Sequence, residues 1–276
     1  MKILVTGADG MLGQDLCPIL EDCGHEVIET DLPEIDITKP DVILDVLSSE
    51  KPDVVIHCAA YTNVDKAEED IETARLINKT GTKNVAEVCA KLDIPIVYIS
   101  TDYVFDGKSN VPYLPNSLKN PINNYGLTKS EGEDEVKKLC EKYYIVRTSW
   151  LYGHHGKNFV ETMLSLANKD ELKVVDDQTG CPTWTVELSN GIAKILEENK
   201  PYGIYHVCGS GSTTWYGFAK QIFEFSKLNV NLLPCKTDEF PRPAARPHYS
   251  VMNNDKICRD WKLALKDYLD LRIAED

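Results

Sequence analysis

Residues 2–13, KILVTGADGMLG, constrain the fold more than any other part of the chain. A β-branched run leads directly into glycines at positions 7, 10 and 13, and the amphipathic stretch MLGQDLCPILEDC follows at once. Glycine lacks the Cβ that would block a tight turn and the approach of a pyrophosphate, and a helix N-terminus stabilises the charge of such a group. Strand, G-x-x-G-x-x-G and helix in that order predict the opening βα unit of a dinucleotide-binding sheet.

The same rhythm continues. HEVIETD, DVILDVLSSE and DVVIHCAA alternate short apolar runs with amphipathic stretches, which predicts a parallel sheet with helices on both faces. Residues 65–92 read as one long helical segment, PIVYIS as a buried strand, residues 123–142 as a helix and YYIVRTSWLYG as a return to the sheet. Beyond residue 153 the strands shorten (LKVVDD, GIYHVCG), with helical stretches near 187–198 and 215–226 and a proline-rich PRPAARP. The predicted class is α/β: a Rossmann-type doubly wound parallel sheet in residues 1–153. A smaller, mainly substrate-binding C-terminal lobe follows in 154–276, with some return to the first domain.

Charge narrows the partners. With 44 acidic and 30 basic side chains the formal net charge is −14, which repels nucleic acid and anionic membrane surfaces while leaving room for a local positive pocket. The nine cysteines are scattered and form no Cys-x-x-Cys pair, so they read as reduced core residues rather than zinc ligands. Adjacent His154 and His155 have no acidic or thiol cluster near them in sequence, so no metal site is assigned. MKILVTGADG has neither the long apolar region nor the cleavage site of a signal peptide, and no run approaches a membrane span, so the expected location is cytoplasmic.

Three features carry chemistry. Asp31 closes the second predicted strand at the distance from the glycine turn where a carboxylate meets the adenosine ribose hydroxyls, which favours NADH over NADPH because it would repel a 2′-phosphate. Tyr125 and Lys129 stand four apart at the start of a predicted helix, on one face. The ammonium is expected to stabilise the phenolate and lower the phenol's pKa, making Tyr125 a usable proton donor. Thr101, in STDYVFDG at the end of an apolar strand, supplies a hydroxyl that would complete a cradle for a carbonyl oxygen becoming negative.

With these features the chain resembles the extended short-chain dehydrogenases/reductases. Within them it resembles the dTDP-4-dehydrorhamnose reductase family, through CAAYTNVDKAE, STDYVFDG, NYGLTKSEGE, RTSWLYG, DQTGCPT and RPHYS in the same order. The resemblance implies reduction of the 4-keto group of a dTDP-6-deoxyhexose to dTDP-L-rhamnose by NADH or NADPH. It implies cofactor contacts from Gly7, Gly10, Met11, Leu12 and Gly13, from Asp36 and Ile37 at the adenine end, and from Ala59, Ala60 and Thr62. Thr101, Tyr125 and Lys129 would be catalytic. Thr101, Asp102, Tyr103 and Trp150 would meet the sugar, Asp102 could tune Tyr125, and Val64, Gln178 and Arg246 would face the nucleotide end, Arg246 as a forked cation for the diphosphate. Some family members are associated with Mg2+, for which no residues match here. The assembly is left open, a homodimer among the alternatives.

Two rivals share the scaffold. Dehydratases of this type carry a glutamate after the Thr-Asp pair, where this chain has Tyr103; an epimerase of the same superfamily is compatible with the motif. A non-catalytic regulatory subunit resembling the beta subunit of methionine adenosyltransferase would not need all three catalytic residue types, which this chain keeps.

Overall fold

A computed structural model describes residues 1–275, so the final position of the C-terminal region lies outside it. The chain begins β1 (Lys2–Thr6), α1 (Gly13–Asp22), β2 (Glu26–Thr30), α2 (Pro40–Glu50) and β3 (Val54–His57). Short helices α3 (Lys66–Glu69) and α4 (Ile71–Arg75) then lead through one π-helical turn (Leu76–Gly81) into α5 (Thr82–Lys91). β4 (Ile96–Thr101), α6 (Asn124–Leu139) and β5 (Tyr143–Thr148) complete this part. Beyond it come β6 (Leu151–Tyr152), α7 (Phe159–Ser165), β7 (Leu172–Val175), β8 (Thr179–Gly180), β9 (Thr183–Trp184) and α8 (Thr185–Glu197). The described chain ends with β10 (Gly203–His206), β11 (Thr213–Thr214), α9 (Trp215–Phe225), β12 (Leu232–Cys235) and α10 (Trp261–Glu275).

Six strands form one parallel sheet in the order β10-β5-β4-β3-β1-β2. Both faces are covered, which is why the central strands read as unbroken apolar runs rather than alternating ones. Ile3 and Val5 point to one side, into a core with Leu16 and Leu20 of α1 and Leu188 and Ile192 of α8. Leu4 points to the other, against Ile43 and Leu47 of α2 and Val85 and Cys89 of α5. Each such fully buried aliphatic side chain contributes about 1.5–3 kcal/mol. The strand order reverses between β2 and β3 on either side of β1, and the C-terminal ends of β1 and β3 open there into a crevice.

One sequence reading is corrected. Residues 65–92 are not one helix. Asp70, with φ −134°, ends α3, and its carboxylate caps α4 by accepting from the Thr73 N–H at 3.0 Å. The π turn then adds a residue to the next helical register, a device common at functional sites. It places Asn78 where its side chain accepts from the Tyr61 N–H (2.8 Å) and donates to the Tyr61 carbonyl (3.0 Å) and to Thr128 Oγ1 (3.1 Å), holding the loop after β3 against α6.

No element is assigned to the α10 segment from the sequence. Trp261, Ala264, Leu265, Tyr268 and Leu269 keep i, i+3, i+4, i+7, i+8 spacing and bury one face against Phe218 and Ile222 of α9. From beyond residue 153, β10 also pairs with β5, and α8 packs on α1, so the sheet is closed by the later half of the chain.

Candidate active site

A cavity of about 710 Å3 opens at the C-terminal ends of β1, β3, β4 and β5. At one end lies the glycine turn. Gly7 has φ +73°, and a Cβ there would come within 2.6 Å of the Ala59 nitrogen, so the turn and the chain after β3 touch backbone to backbone. A Cβ on Gly13 would overlap the Ala8 carbonyl, whereas one on Gly10 would meet only the Gly7 oxygen, at 3.1 Å, leaving the approach to the α1 N-terminus open. The cradle fits a dinucleotide pyrophosphate: the N–H groups of a first helical turn face a gap that no side chain fills. Gly7, Gly10, Met11, Leu12 and Gly13 all line it.

Asp31 follows β2 and lines the same end; its Oδ2 accepts from the Asp9 N–H at 3.2 Å and its Oδ1 from the Leu32 N–H at 2.8 Å, tying the glycine turn to the second strand. Asp36 and Ile37 are beside it. The Asp36 carboxylate is held by Thr38, accepting from its N–H (3.0 Å) and hydroxyl (2.6 Å), and by Lys39 at 3.1 Å. Those Thr38 bonds pull its pKa below the usual range. Ala59, Ala60, Thr62 and Val64 form the wall after β3.

The opposite wall holds the predicted catalytic residues. Thr101 ends β4; its hydroxyl accepts from the Tyr103 N–H at 3.2 Å and donates to Asp102 Oδ1 at 3.1 Å. Tyr125 sits in the first turn of α6, where Asn123 caps the helix by accepting from the Gly126 N–H at 2.8 Å. A Cβ on Gly126 would overlap the Tyr103 carbonyl, so glycine is what lets α6 approach the end of β4. The Tyr125 ring meets the Tyr103 ring edge to face. One turn on, the Lys129 ammonium lies 4.2 Å over the Tyr98 ring.

The electrostatics correct one sequence expectation. Burial pushes the Tyr125 phenol up to about 12, outweighing the Thr101 hydroxyl, which pulls it down. Burial likewise pushes Lys129 down to about 7, against the pull of Glu133. The phenol is therefore raised, not lowered, and the lysine is the group brought near neutrality. Asp102 is pushed up to about 6 by burial, opposed by Ser250 and Thr101, and its Oδ2 has no hydrogen-bond partner among the described residues.

Trp150 lines the cavity with φ +48°, a left-handed conformation that costs energy for any residue with a Cβ. Face-to-face stacking on Trp215, with centroids 3.5 Å apart and planes at 5°, holds it there. Gly180 makes room, since a Cβ at that position would overlap the indole.

Two predicted substrate residues are not brought into the lining. Gln178 lies behind it, accepting from the Trp215 indole N–H at 3.2 Å and donating to Thr237 Oγ1 at 2.9 Å. Arg246 Nη1 donates to Asp65 at 2.8 Å and to the Ala244 carbonyl at 2.7 Å, and the residue is not part of the cavity lining. Trp215 and Lys157 line the cavity without having been anticipated; no motif marked either, and only the packing of the second half against the sheet brings them there.

Among the described residues no group of three or more His, Cys, Asp or Glu is placed to hold a metal ion, and no helix is long and apolar enough to cross a membrane.

Residues 1–272 match the RmlD substrate binding domain family. The chain is 41% identical to a spore coat polysaccharide biosynthesis protein of Bacillus subtilis, over 98% of both chains. Its backbone is similar to a dTDP-4-dehydrorhamnose reductase of Clostridium acetobutylicum, with TM-score 0.96, 47% identity and 99% and 100% of the two chains covered. It is similar also to the dTDP-4-dehydrorhamnose reductase of Bacillus anthracis solved in complex with NADP, with TM-score 0.94, 40% identity and coverage of 98% and 99%.

Proposed function

The chain belongs to the RmlD substrate binding domain family, and from that premise we propose that it is a nicotinamide-dependent dTDP-4-dehydrorhamnose reductase, reducing a dTDP-4-keto-6-deoxyhexose to dTDP-L-rhamnose. The observation that carries this reading is the meeting of Thr101, Tyr125 and Lys129 on one wall of a cavity whose far end is the glycine turn.

The division of labour is that residues 1–153 hold the dinucleotide and residues 154–276 mainly face the sugar nucleotide. Gly7, Gly10 and Gly13 with the α1 N-terminus would hold the pyrophosphate, and Asp31 the adenosine ribose, which favours NADH over NADPH. The cofactor supplies the hydride.

The chain's own residues manage the proton. Because Tyr125 keeps its proton at every physiological pH, it is a ready donor to an alkoxide oxygen, which is a far stronger base than a phenolate. Thr101, buried beside it, supports the same oxygen and fixes the phenol's direction. Lys129 places a cation under that region and gives the ribose a donor; the Tyr98 ring beneath it offsets part of the charge's desolvation. Trp150 and Trp215 form a flat apolar wall suited to a sugar face.

An elimination mechanism is disfavoured by Tyr103 in place of a glutamate, and a purely regulatory role by the retention of all three catalytic side chains. The test is loss of nicotinamide absorbance when NADH or NADPH and the ketosugar meet the protein. Stoichiometric consumption supports reduction, whereas interconversion of sugars without consumption would favour an epimerase.

A further inference from the structure

The cavity has a charge problem that the proposed catalytic residues do not solve. Three acids line it, Asp31, Asp36 and Asp102, and its lining cations are Lys129 and Lys157. Lys129 is buried and pushed down to about 7, and it faces the Tyr98 ring. Lys157 differs in every respect: it is exposed, and no acidic side chain pairs with it among the described residues.

Its backbone is nevertheless fixed. The next residue, Asn158, donates to the Gly153 carbonyl at 2.7 Å and accepts from the Glu161 N–H at 3.1 Å, closing the 153–158 loop and capping α7 at once. The loop is pinned to the first turn of α1: His155 Nε2 lies 3.4 Å from Asp15 Oδ1, and Thr185 donates to Asp15 Oδ2. Gly153 lies against that junction, where a Cβ would overlap the Thr185 hydroxyl. On the other side Phe159 packs on Trp215 at 4.6 Å. An ammonium with no acidic partner among the described residues is thus carried on a hydrogen-bonded loop to the cavity rim, beside the helix that the glycine turn opens.

We propose that Lys157 is a diphosphate-binding residue, reaching the dinucleotide pyrophosphate from the loop that is held against the first turn of α1. The inference rests on the reading that the cavity takes a nicotinamide dinucleotide. The sugar nucleotide also carries a diphosphate, so the shared chemistry has two sources, and the contact with α1 is what favours the first.

The test is a fluorescence titration of the full-length protein with NADH, with dTDP binding measured by calorimetry. Lys157 is exposed, so its variants are expected to fold; Lys169→Ala, another exposed lysine, serves as the control. Lys157→Ala should weaken NADH binding about 10-fold at low salt, with the gap narrowing as salt rises, while Lys157→Arg stays within about 2-fold and dTDP affinity is unchanged. NADH binding by Lys157→Ala equal to that of the parent protein overturns the proposal. A loss confined to dTDP overturns the assignment to the dinucleotide, and failure of the parent protein to bind either NADH or NADPH overturns the cofactor reading along with it.

Discussion

The ring of Tyr125 stands edge-on to that of Tyr103, centroids 5.6 Å apart and planes at 77°, and this contact exists because residue 126 has no side chain. A Cβ at position 126 would overlap the Tyr103 carbonyl, forcing the first turn of α6 away from the end of β4. Gly126→Ala is therefore expected to lower kcat about 10-fold or more by displacing Tyr125, and to lower Tm by several degrees, since overpacking costs ~1–3 kcal/mol. Parallel kinetics and calorimetry check this; an unchanged kcat would mean that the first turn of α6 does not position the phenol.

Lys129 makes the activity pH-dependent in a definite direction. Its ammonium is the useful form, and in the folded protein it is held until about pH 7. The kcat/KM for reduction should fall as pH rises through that region, and Lys129→Arg, which keeps its charge, should move the falling limb to higher pH even at reduced rate. A flat profile from pH 6 to 9 in the parent protein would remove Lys129 from this role.

The same residue affects stability. The folded pKa of Lys129, about 7, lies below its unfolded value, so between about pH 7 and 10.5 the unfolded chain binds more protons and stability contributed by this site rises with pH. Below about pH 7 the penalty for burying the charge is fully present. Lys129→Met should accordingly raise Tm at pH 6–7, by an amount that shrinks toward pH 10, while abolishing most turnover. Thermal melts at several pH values test the sign.

Trp150 depends on a partner 65 positions away and on a bare backbone at Gly180. Gly180→Ala should push the Trp150 indole off Trp215 and raise KM for the sugar nucleotide about 10-fold with little change in dinucleotide affinity. Steady-state kinetics with each substrate varied separately would reveal the split, and tryptophan fluorescence would report the lost stacking. An effect on dinucleotide binding alone would place these rings at the wrong end of the cavity.

What the sequence disclosed divides along the range of the interactions involved. The glycine turn, the parallel βα rhythm and the i, i+4 placement of Tyr125 and Lys129 depend on near neighbours, and the structure places them together with Thr101 around one cavity. The direction of the Tyr125 shift did not follow, because burial is set by packing from distant segments and here exceeds the effect of local charge. Trp215 and Lys157 were missed for the same reason. The break at Asp70 and the π turn after it were invisible because helical periodicity is nearly unchanged across a single inserted residue. Arg246 was read as a ligand-facing cation, but Asp65, which claims it, is 181 positions away.

The most direct test of the central claim is the turnover of Tyr125→Phe with saturating NADH and ketosugar, alongside its NADH affinity. Removal of the proton donor predicts a kcat loss of about 10²-fold or more with dinucleotide binding within about 2-fold of the parent protein. Turnover retained near the parent rate would contradict the account.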